Sequence, residues 1–354
     1  MPIKTELRSL LKRAAIGAGR SQAFARLVEL LERTDPERPD LLRVLTYHRV
    51  ERAGTETGRY PRLMVSPEVF GAQMSFVARR FRVLSMPELL AATRTGDRLP
   101  PRALLLTFDD AYADFATHAW PVLRRLGLPA TLFVPTAFPG DPTRVFWWDR
   151  LYHALLTTGR GDAVESPIGR LALGTQAARA AAFTRLREHV KRQPHAQVVA
   201  WVEQFSSELG VAPPAPEVLS WDDLRRLASE GVTLGCHTRT HALANRISAD
   251  ELRAEAAGSR HDLEREIGAT LPIFAYPSGA FDEQAVEGLA CEGFELAFTT
   301  RRGIDEWTKA DRLRLRRIHV GSRTSMPLLR LQLLGRTVHW NRIQAGWNRR
   351  SQRV

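Results

Sequence analysis

Two short motifs in this chain carry residue types that can bind a metal ion. His237 and His241 stand four positions apart, a spacing that would put both imidazoles on one face of a helical turn. Asp109 and Asp110 directly follow the apolar run at residues 104–108. Two neutral nitrogens and one carboxylate oxygen leave a coordination position open for water, which is typical of catalytic rather than structural zinc. We assign Asp110 as the carboxylate ligand, which leaves Asp109 free to accept a proton.

Each motif has an ordinary structural explanation when it stands alone. An acidic pair at the end of a strand usually begins a helix or lies in a solvated loop. Two histidines four positions apart are more often surface or core residues. Together, on adjoining strands of one barrel, the two motifs favour a metal site.

The elements that must position these motifs alternate between strands and helices. The apolar runs at residues 103–108 and 130–134 are typical of strands buried on both faces of a parallel sheet, and a helical pattern lies between them. Two capping boxes predict helix starts further on, at Ser220 with Asp223 and at Ser248 with Glu251. Seven or eight predicted strands indicate an α/β fold, a distorted (β/α) barrel of about seven strands.

In such a barrel the catalytic groups lie at the carboxyl ends of the strands, where the loops converge on one mouth. Four predicted strands run into polar or turn residues at that end: the acidic pair, residues 237–241, residues 277–279 and His319. We therefore expect these four segments to form one site.

The chain divides into three predicted parts. Residues 1–38 have the pattern of an amphipathic N-terminal helix, residues 39–322 form the barrel, and residues 323–354 form a basic amphipathic tail. Within the barrel, residues of about 140–218 break the alternation of strands and helices, which predicts a helical insertion.

The net charge of +12 lies at the two ends of the chain, and residues 313–354 contain ten Arg and no acidic residue. Leu and Trp interleaved with these Arg residues suggest contact with an anionic membrane, and a solvated terminus of biased composition is the equal alternative. No helix-turn-helix, finger or aromatic-basic sheet pattern supports a nucleic-acid partner. Cys236 and Cys291 are too few for a disulfide scaffold or a cysteine-based zinc finger.

The sequence contains no window near the run of about 20 apolar residues that a spanning helix needs. Its N-terminus is interrupted by Arg or Lys every few positions and lacks the pattern of a signal peptide. We therefore expect a cytoplasmic protein, peripheral at the inner face of the membrane if the basic ends bind lipid.

The motifs resemble those of a known family. Residues 107–110 (TFDD) followed by residues 237–241 (HTRTH) resemble the first two motifs of the NodB-like polysaccharide deacetylases, carbohydrate esterase family 4. Residues 45–50 (LTYHRV) resemble the first strand of the bacterial exopolysaccharide-type members. The resemblance covers about residues 40–322, apart from the insertion.

The resemblance implies a distorted (β/α) barrel of about seven strands and a role for each motif residue. Asp109 corresponds to the catalytic base, and Asp110, His237 and His241 correspond to the ligands of Zn²⁺ or another divalent metal such as Co²⁺ or Ni²⁺. A metal there would lower the pKa of bound water towards about 7 and polarise the amide carbonyl. Asp109 would take a proton as water attacks.

Two further catalytic roles have candidates. A backbone N–H around Ser278, where the sequence Pro-Ser-Gly turns the chain, would stabilise the tetrahedral oxyanion. His319 would protonate the departing amine, although the segment reads Arg317-Ile318-His319 where the family usually has Leu-x-His, and an outward residue on a basic strand is the equal alternative. The family often has an Arg two residues before its Pro to orient the base. This chain has Ala275 there, so either another Arg substitutes or Asp109 is held differently.

His48, Tyr276 and Pro277 are the candidates for contact with substrate at the mouth, and a core histidine is the alternative for His48. The predicted function is a metal-dependent hydrolase that removes an N-acyl group, N-acetyl above all, from an amino sugar. The sugar would belong to a glycan, a lipid-linked precursor or a glycosylated metabolite. A carbohydrate-binding relative that has lost turnover is the alternative, which the missing Arg leaves open.

Overall fold

Strands and helices alternate along the chain, of which the computed structural model describes residues 21–36, 38–52, 59–141 and 143–338. The strands are β1 (Leu41–Tyr47), β2 (Arg49–Val50), β3 (Met64–Val65), β4 (Arg82–Val83), β5 (Ala103–Asp109), β6 (Thr131–Val134), β7 (Ala163–Val164), β8 (Leu171–Ala172), β9 (Thr233–Cys236), β10 (Ile273–Ala275), β11 (Leu296–Arg302), β12 (Asp305–Glu306) and β13 (Leu315–His319). The helices are α1 (Gln22–Arg33), α2 (Pro67–Arg80), α3 (Met86–Thr95), α4 (Trp120–Arg125), α5 (Trp147–Thr157), α6 (Gln176–Val190), α7 (His195–Glu208), α8 (Trp221–Ser229), α9 (Ala249–Ile267), α10 (Glu283–Cys291) and α11 (Met326–Leu333).

Seven parallel strands close into a barrel in the order β1, β13, β11, β10, β9, β6 and β5, and β5 pairs back with β1. Strand β4 adds to the edge of β5, and β12 pairs antiparallel with β1. The predicted seven-stranded (β/α) barrel is therefore confirmed.

Successive residues of the barrel strands enter two different apolar clusters. Val44 and Leu105 belong to the cluster inside the barrel, whereas Leu45 and Leu104 belong to the cluster between the strands and the surrounding helices. The alternation follows from the two-residue period of a strand. Because both faces are covered, these strands have no polar face, and the sequence shows continuous apolar runs.

The helix starts follow the predicted capping chemistry. The capping boxes of Ser220 with Asp223 and of Ser248 with Glu251 are both formed. The helix predicted after β5 differs from expectation: a π-helical turn, Phe115–Ala119, precedes the short helix α4. Pro121 lies in the first turn of α4 and has no N–H to donate, so the regular hydrogen-bond ladder is interrupted there.

The described parts of the two chain ends pack against each other. Helix α1 begins after Ser21, whose extended backbone and side-chain cap interrupt the single helix predicted for residues 1–38. Arg330 of α11 forms an ion pair with Glu32 of α1. Residues 1–20 and 339–354 of the two predicted terminal segments lie outside the described residues.

The region between β6 and α8 contains helices α5, α6 and α7 and the hairpin of β7 and β8. Its apolar side chains form a cluster of their own, distinct from the two clusters of the barrel. The predicted insertion at residues of about 140–218 thus corresponds to a helical unit that also contains one small hairpin.

None of the described helices is both long and apolar enough to cross a lipid bilayer.

Candidate metal centre and active site

The residues that point into the barrel become polar towards its carboxyl end. On β5 the series runs from Leu105 through Thr107 to Asp109, and on β1 it runs from Val44 to Thr46. The Thr46 and Thr107 hydroxyls lie 3.0 Å apart across the two strands, which confirms that both point to the same side of the sheet. The barrel interior is therefore apolar at its base and carries its polar groups at the mouth.

The chain turns sharply where β5 ends. Asp110 and Ala111 have φ values of 74° and 52°, in the left-handed region that residues other than glycine rarely adopt. Asp109 still belongs to the strand, so the turn lets two consecutive carboxylates face the same mouth. Thr238, His241 and Ser278 also have left-handed backbone. Such strained residues cluster at functional sites because the surrounding structure must hold them.

The two histidines come together without a helix. His237 follows β9 directly, and Thr238 and His241 both have φ of 60°, so residues 237–241 form a loop and the predicted helical turn is wrong. The Glu255 carboxylate holds this loop by accepting the backbone N–H groups of Arg239 and Thr240 at 2.7 and 2.9 Å. The two motifs are also not on adjoining strands, since β6 lies between β5 and β9.

The metal-ligand candidates converge on one point. The Nε2 atoms of His237 and His241 each lie 3.4 Å from Oδ1 of Asp110, and one donor atom from each residue lies within 4.8 Å of the others. The Nδ1 atom of His237 lies 2.7 Å from the Ala275 carbonyl, which can only accept, so Nδ1 carries the proton and Nε2 is free. Oδ1 of Asp110 is buried without a hydrogen-bond partner. This donor set fits a divalent metal.

The electrostatics of the triad favour the protonation states in which His241 and Asp110 can bind a metal. Burial lowers the pKa of His241 to about 4, which keeps its imidazole neutral near pH 7. Burial alone would raise the pKa of Asp110, but the two histidines hold it well below its ordinary value. His241 therefore presents a neutral nitrogen and Asp110 an ionised carboxylate, the forms in which each binds a metal.

Asp109 is held by Arg317, a residue that sequence reasoning did not assign to the site. The guanidinium Nη1 and Nη2 donate to Oδ1 and Oδ2 of Asp109 at 2.8 and 2.7 Å, and Nε donates to the Thr299 carbonyl at 2.9 Å. Of the two alternatives left open by Ala275, the structure has the substituting Arg. Burial would raise the pKa of Asp109, but Arg317, with His237, lowers it below its ordinary value.

His48 and His319 occupy different depths at the mouth. His48 lines the cavity over the metal triad, with Nε2 at 3.9 Å from Oδ2 of Asp109. His319 lies beside it, ring centroids 5.9 Å apart, and is not among the residues that line the cavity. Burial, with the charge of Arg317, lowers the pKa of His319 to about 3, so its ring is neutral near pH 7. His48 is therefore the better placed of the two to meet a leaving group.

Of the other predicted site residues, one lines the cavity and two do not. Ser278 lines the cavity and is exposed. Tyr276 and Pro277 are buried and do not line it. The Tyr276 hydroxyl donates to the Leu313 carbonyl at 3.1 Å, and its ring stacks on Phe281. These contacts give Tyr276 a structural explanation in the core.

The insertion supplies one wall of the cavity. Trp148 packs against His241 with ring centroids 4.5 Å apart, and Arg187 and Lys191 reach the same cavity from α6 and the residue that follows it. Sequence reasoning missed both cations because no motif marks them, and the way the insertion folds onto the barrel cannot be read from periodicity alone. Tyr60, which precedes α2, completes this wall.

The cavity over the triad is small, about 80 Å³. Pockets that enclose a whole ligand usually measure about 300–1,000 Å³. The cavity therefore suits one substituent of a ligand whose remainder lies outside.

A larger cavity of about 250 Å³ lies between the insertion and the barrel. Its Asp149 carboxylate accepts the Tyr112 hydroxyl at 2.7 Å and pairs with Arg49 at 3.2 Å. Among the described residues, the triad of Asp110 and the two histidines is the one cluster whose donors could hold a metal. We therefore place the candidate site at the smaller cavity.

Comparisons with known proteins show which sequences this chain resembles. A family model described as polysaccharide deacetylase matches residues 96–160 and 171–297. The putative polysaccharide deacetylase YxkH of Bacillus subtilis is 19% identical over 268 residues, which cover 75% of this chain and 67% of that protein.

Two solved structures share the fold. The Streptococcus pyogenes deacetylase PplD has a TM-score of 0.56 at 21% identity, covering 84% of this chain and 99% of its own. IcaB from Ammonifex degensii has a TM-score of 0.54 at 19% identity, covering 84% and 98%.

Proposed function

Because this chain belongs to the polysaccharide deacetylase family, carbohydrate esterases that act on N-acetyl groups, we propose that it is a metal-dependent N-deacetylase of an amino sugar. The sugar would belong to a glycan or a lipid-linked precursor. The observation that carries the proposal is the convergence of Asp110, His237 and His241 within 4.8 Å, beside a second carboxylate held by a buried Arg. The size of the cavity supports it, since an acyl group fits where a whole sugar does not.

The chemistry divides among the residues at the mouth. A divalent metal held by the triad would supply a Lewis acid that polarises the amide carbonyl and lowers the pKa of water. Asp109 accepts the proton of the attacking water, and Arg317 keeps that carboxylate ionised and fixes its orientation. A backbone N–H around Ser278 is our candidate donor to the oxyanion. His48 donates the proton that the departing amine needs.

The alternative, a carbohydrate-binding relative without turnover, loses its main support. That hypothesis depended on the absence of an Arg to orient the base. Arg317 fills this role from a different strand, because it donates two hydrogen bonds to Asp109. A protein that only bound sugar would not need a buried ion pair on the base.

The proposal is tested with purified protein and a panel of N-acetylated sugars, including N-acetylglucosamine oligomers and lipid-linked N-acetylglucosamine. Metal analysis should find one equivalent of Zn²⁺, Co²⁺ or Ni²⁺, and acetate should be released. Asp109→Asn should keep the metal and lose about 10²–10⁴-fold in rate, the usual contribution of a general base. Asp222→Asn, at a side chain that is 92% exposed, is the matched control and should behave as wild type. An Asp109→Asn protein that binds metal and releases acetate at the wild-type rate would refute the mechanism.

A further inference from the structure

Lys191 brings a positive charge to the cavity, where the carboxylates of Glu188 and Asp110 attract it without lying close enough to form an ion pair. Its ammonium group donates to the Ser278 hydroxyl at 3.1 Å, and within the described residues it forms no ion pair. The residue immediately follows α6 and is half-buried against the mouth. Burial, with the nearby charge of Arg187, lowers its pKa to about 8, which leaves the group mostly charged near pH 7.

Arg187 lies one helical turn before Lys191 and lines the same cavity. Its Nη1 donates to the Tyr60 hydroxyl at 2.7 Å, and its Nη2 pairs with Glu188, whose side chain is 59% exposed. Its Nε is buried without a hydrogen-bond partner. Arg187 therefore has a buried N–H group without a partner, and its carboxylate partner among the described residues, Glu188, lies at the solvent edge.

With a metal bound to Asp110, the carboxylates of the catalytic site would not balance these two cations. Asp109 is already paired with Arg317 through two hydrogen bonds. Asp110 faces the two imidazoles, at the place where the donor set fits a metal. A half-buried ammonium without a counter-ion is costly unless a ligand supplies the negative charge.

Resting on the proposed function, we propose that Lys191 and Arg187 form a subsite for an anionic group of the substrate. The group is a carboxylate or a phosphate carried by the glycan next to the N-acetylated sugar. The acyl group would enter the small cavity, and the anionic group would bind at the wall that the insertion provides. The insertion thereby selects acidic over neutral amino-sugar glycans.

The test compares three substrates of stated charge. They are neutral N-acetylglucosamine oligomers, oligosaccharides that alternate N-acetylglucosamine with glucuronate, and N-acetylglucosamine 1-phosphate. Wild type should have a higher kcat/KM on at least one anionic substrate than on the neutral oligomers, and the preferred arm identifies carboxylate or phosphate. Equal or better turnover of the neutral oligomers would overturn the proposal.

Variants of the cation give the second readout. Lys191→Met should reduce the ratio of anionic to neutral kcat/KM by about 30-fold, mainly through KM, which is the lower end of the loss expected when one partner of a desolvated charge pair is removed. Lys191→Arg should restore most of that ratio. Arg192→Met, the same change at the adjacent exposed cation outside the cavity, is the control and should keep the wild-type ratio. A Lys191→Met protein that loses kcat equally on all substrates would assign Lys191 to the transition state and overturn the subsite.

Direct binding separates this proposal from the proposed function. Calorimetry with Asp109→Asn protein should detect the glucuronate oligosaccharide or the 1-phosphate more strongly than the neutral oligomer, and Lys191→Met should abolish the difference. Absence of acetate release from every substrate would refute the deacetylase, while the binding difference would still decide the subsite.

Discussion

Removing the guanidinium that holds Asp109 should change both the stability of the protein and the pH dependence of its activity. In Arg317→Met the two hydrogen bonds of 2.8 and 2.7 Å disappear, and a buried carboxylate is left without its cation. Breaking one partner out of a buried ion pair costs about 3–5 kcal/mol of unfolding free energy. The pKa of Asp109 should then rise, because burial, the largest influence on it, is no longer opposed by Arg317.

The sign of the pH effect follows from that change. In wild type the pKa of Asp109 is below its ordinary value, so the ionised carboxylate contributes stability at neutral pH that is lost as pH falls through the folded-state pKa. In the variant the pKa is raised, so ionising Asp109 opposes folding. The deficit of the variant in unfolding free energy should be largest near pH 8 and shrink towards pH 5, by at most about 1.4 kcal/mol per pH unit.

The assays are urea denaturation between pH 5 and pH 8 and the pH profile of kcat/KM for the fastest substrate of the panel. We expect the acid limb of the profile to move to higher pH in Arg317→Met, and Arg317→Lys to recover part of the shift. The control is Arg323→Met, the same change at an exposed side chain a few residues after β13. An unchanged acid limb, with a stability deficit that is independent of pH, would refute the proposed role of Arg317.

Three further predictions concern the mouth of the barrel. His48→Ala should lower kcat by about 10²-fold or more, the contribution of a general acid, whereas His319→Ala should affect melting temperature more than kcat. A larger loss of kcat in His319→Ala than in His48→Ala, measured by steady-state kinetics, would return the acid role to His319. Chelation of the metal should lower the melting temperature of wild type but not of Asp110→Ala. A ligand at 100 times its Kd stabilises the folded state by about 2.7 kcal/mol, and this stabilisation is lost on chelation. Equal shifts of the two proteins in a thermal melt would exclude Asp110 as a ligand. Gly279→Ala should be much more destabilising in urea melts than Gly293→Ala. Both glycines have positive φ, but a Cβ at Gly279 would clash with the backbone nitrogen of Thr300, whereas the nearest atom to a Cβ at Gly293 is 3.8 Å away. Equal losses of stability would contradict the steric argument.

The barrel could be predicted because its signals are local. Continuous apolar runs mark strands that are covered on both faces, and the capping boxes at Ser220 and Ser248 mark where helices begin. The ends of the strands were harder to predict: β5 continues to Asp109, beyond the apolar run that ends at Phe108. Polar and charged residues can continue a strand where it leaves the core, and an apolar pattern does not reveal this.

The parts of the site that could be predicted are those whose residues lie in short sequence motifs. Asp110, His237 and His241 form a triad as expected, although a left-handed loop brings the histidines together instead of a helical turn. Arg317 was not predicted because an Arg on a basic strand gives no sign that it points inward, and only the register of β13 against the barrel settles its partner. Lys191 depends on a contact between the insertion and the barrel, which no local pattern encodes.

The insertion has a hydrophobic cluster of its own, separate from the two that hold the barrel together. Apart from the contacts that join it to the barrel, such as Asp149 with Arg49, this unit is therefore constrained little by the folding of the barrel, whereas the strand ends beneath it are fixed by strained backbone. The insertion can consequently change in sequence more readily than the strand ends of the barrel that it faces. Exchanging the insertion between relatives would be the direct way to transfer substrate preference while leaving the reaction itself intact.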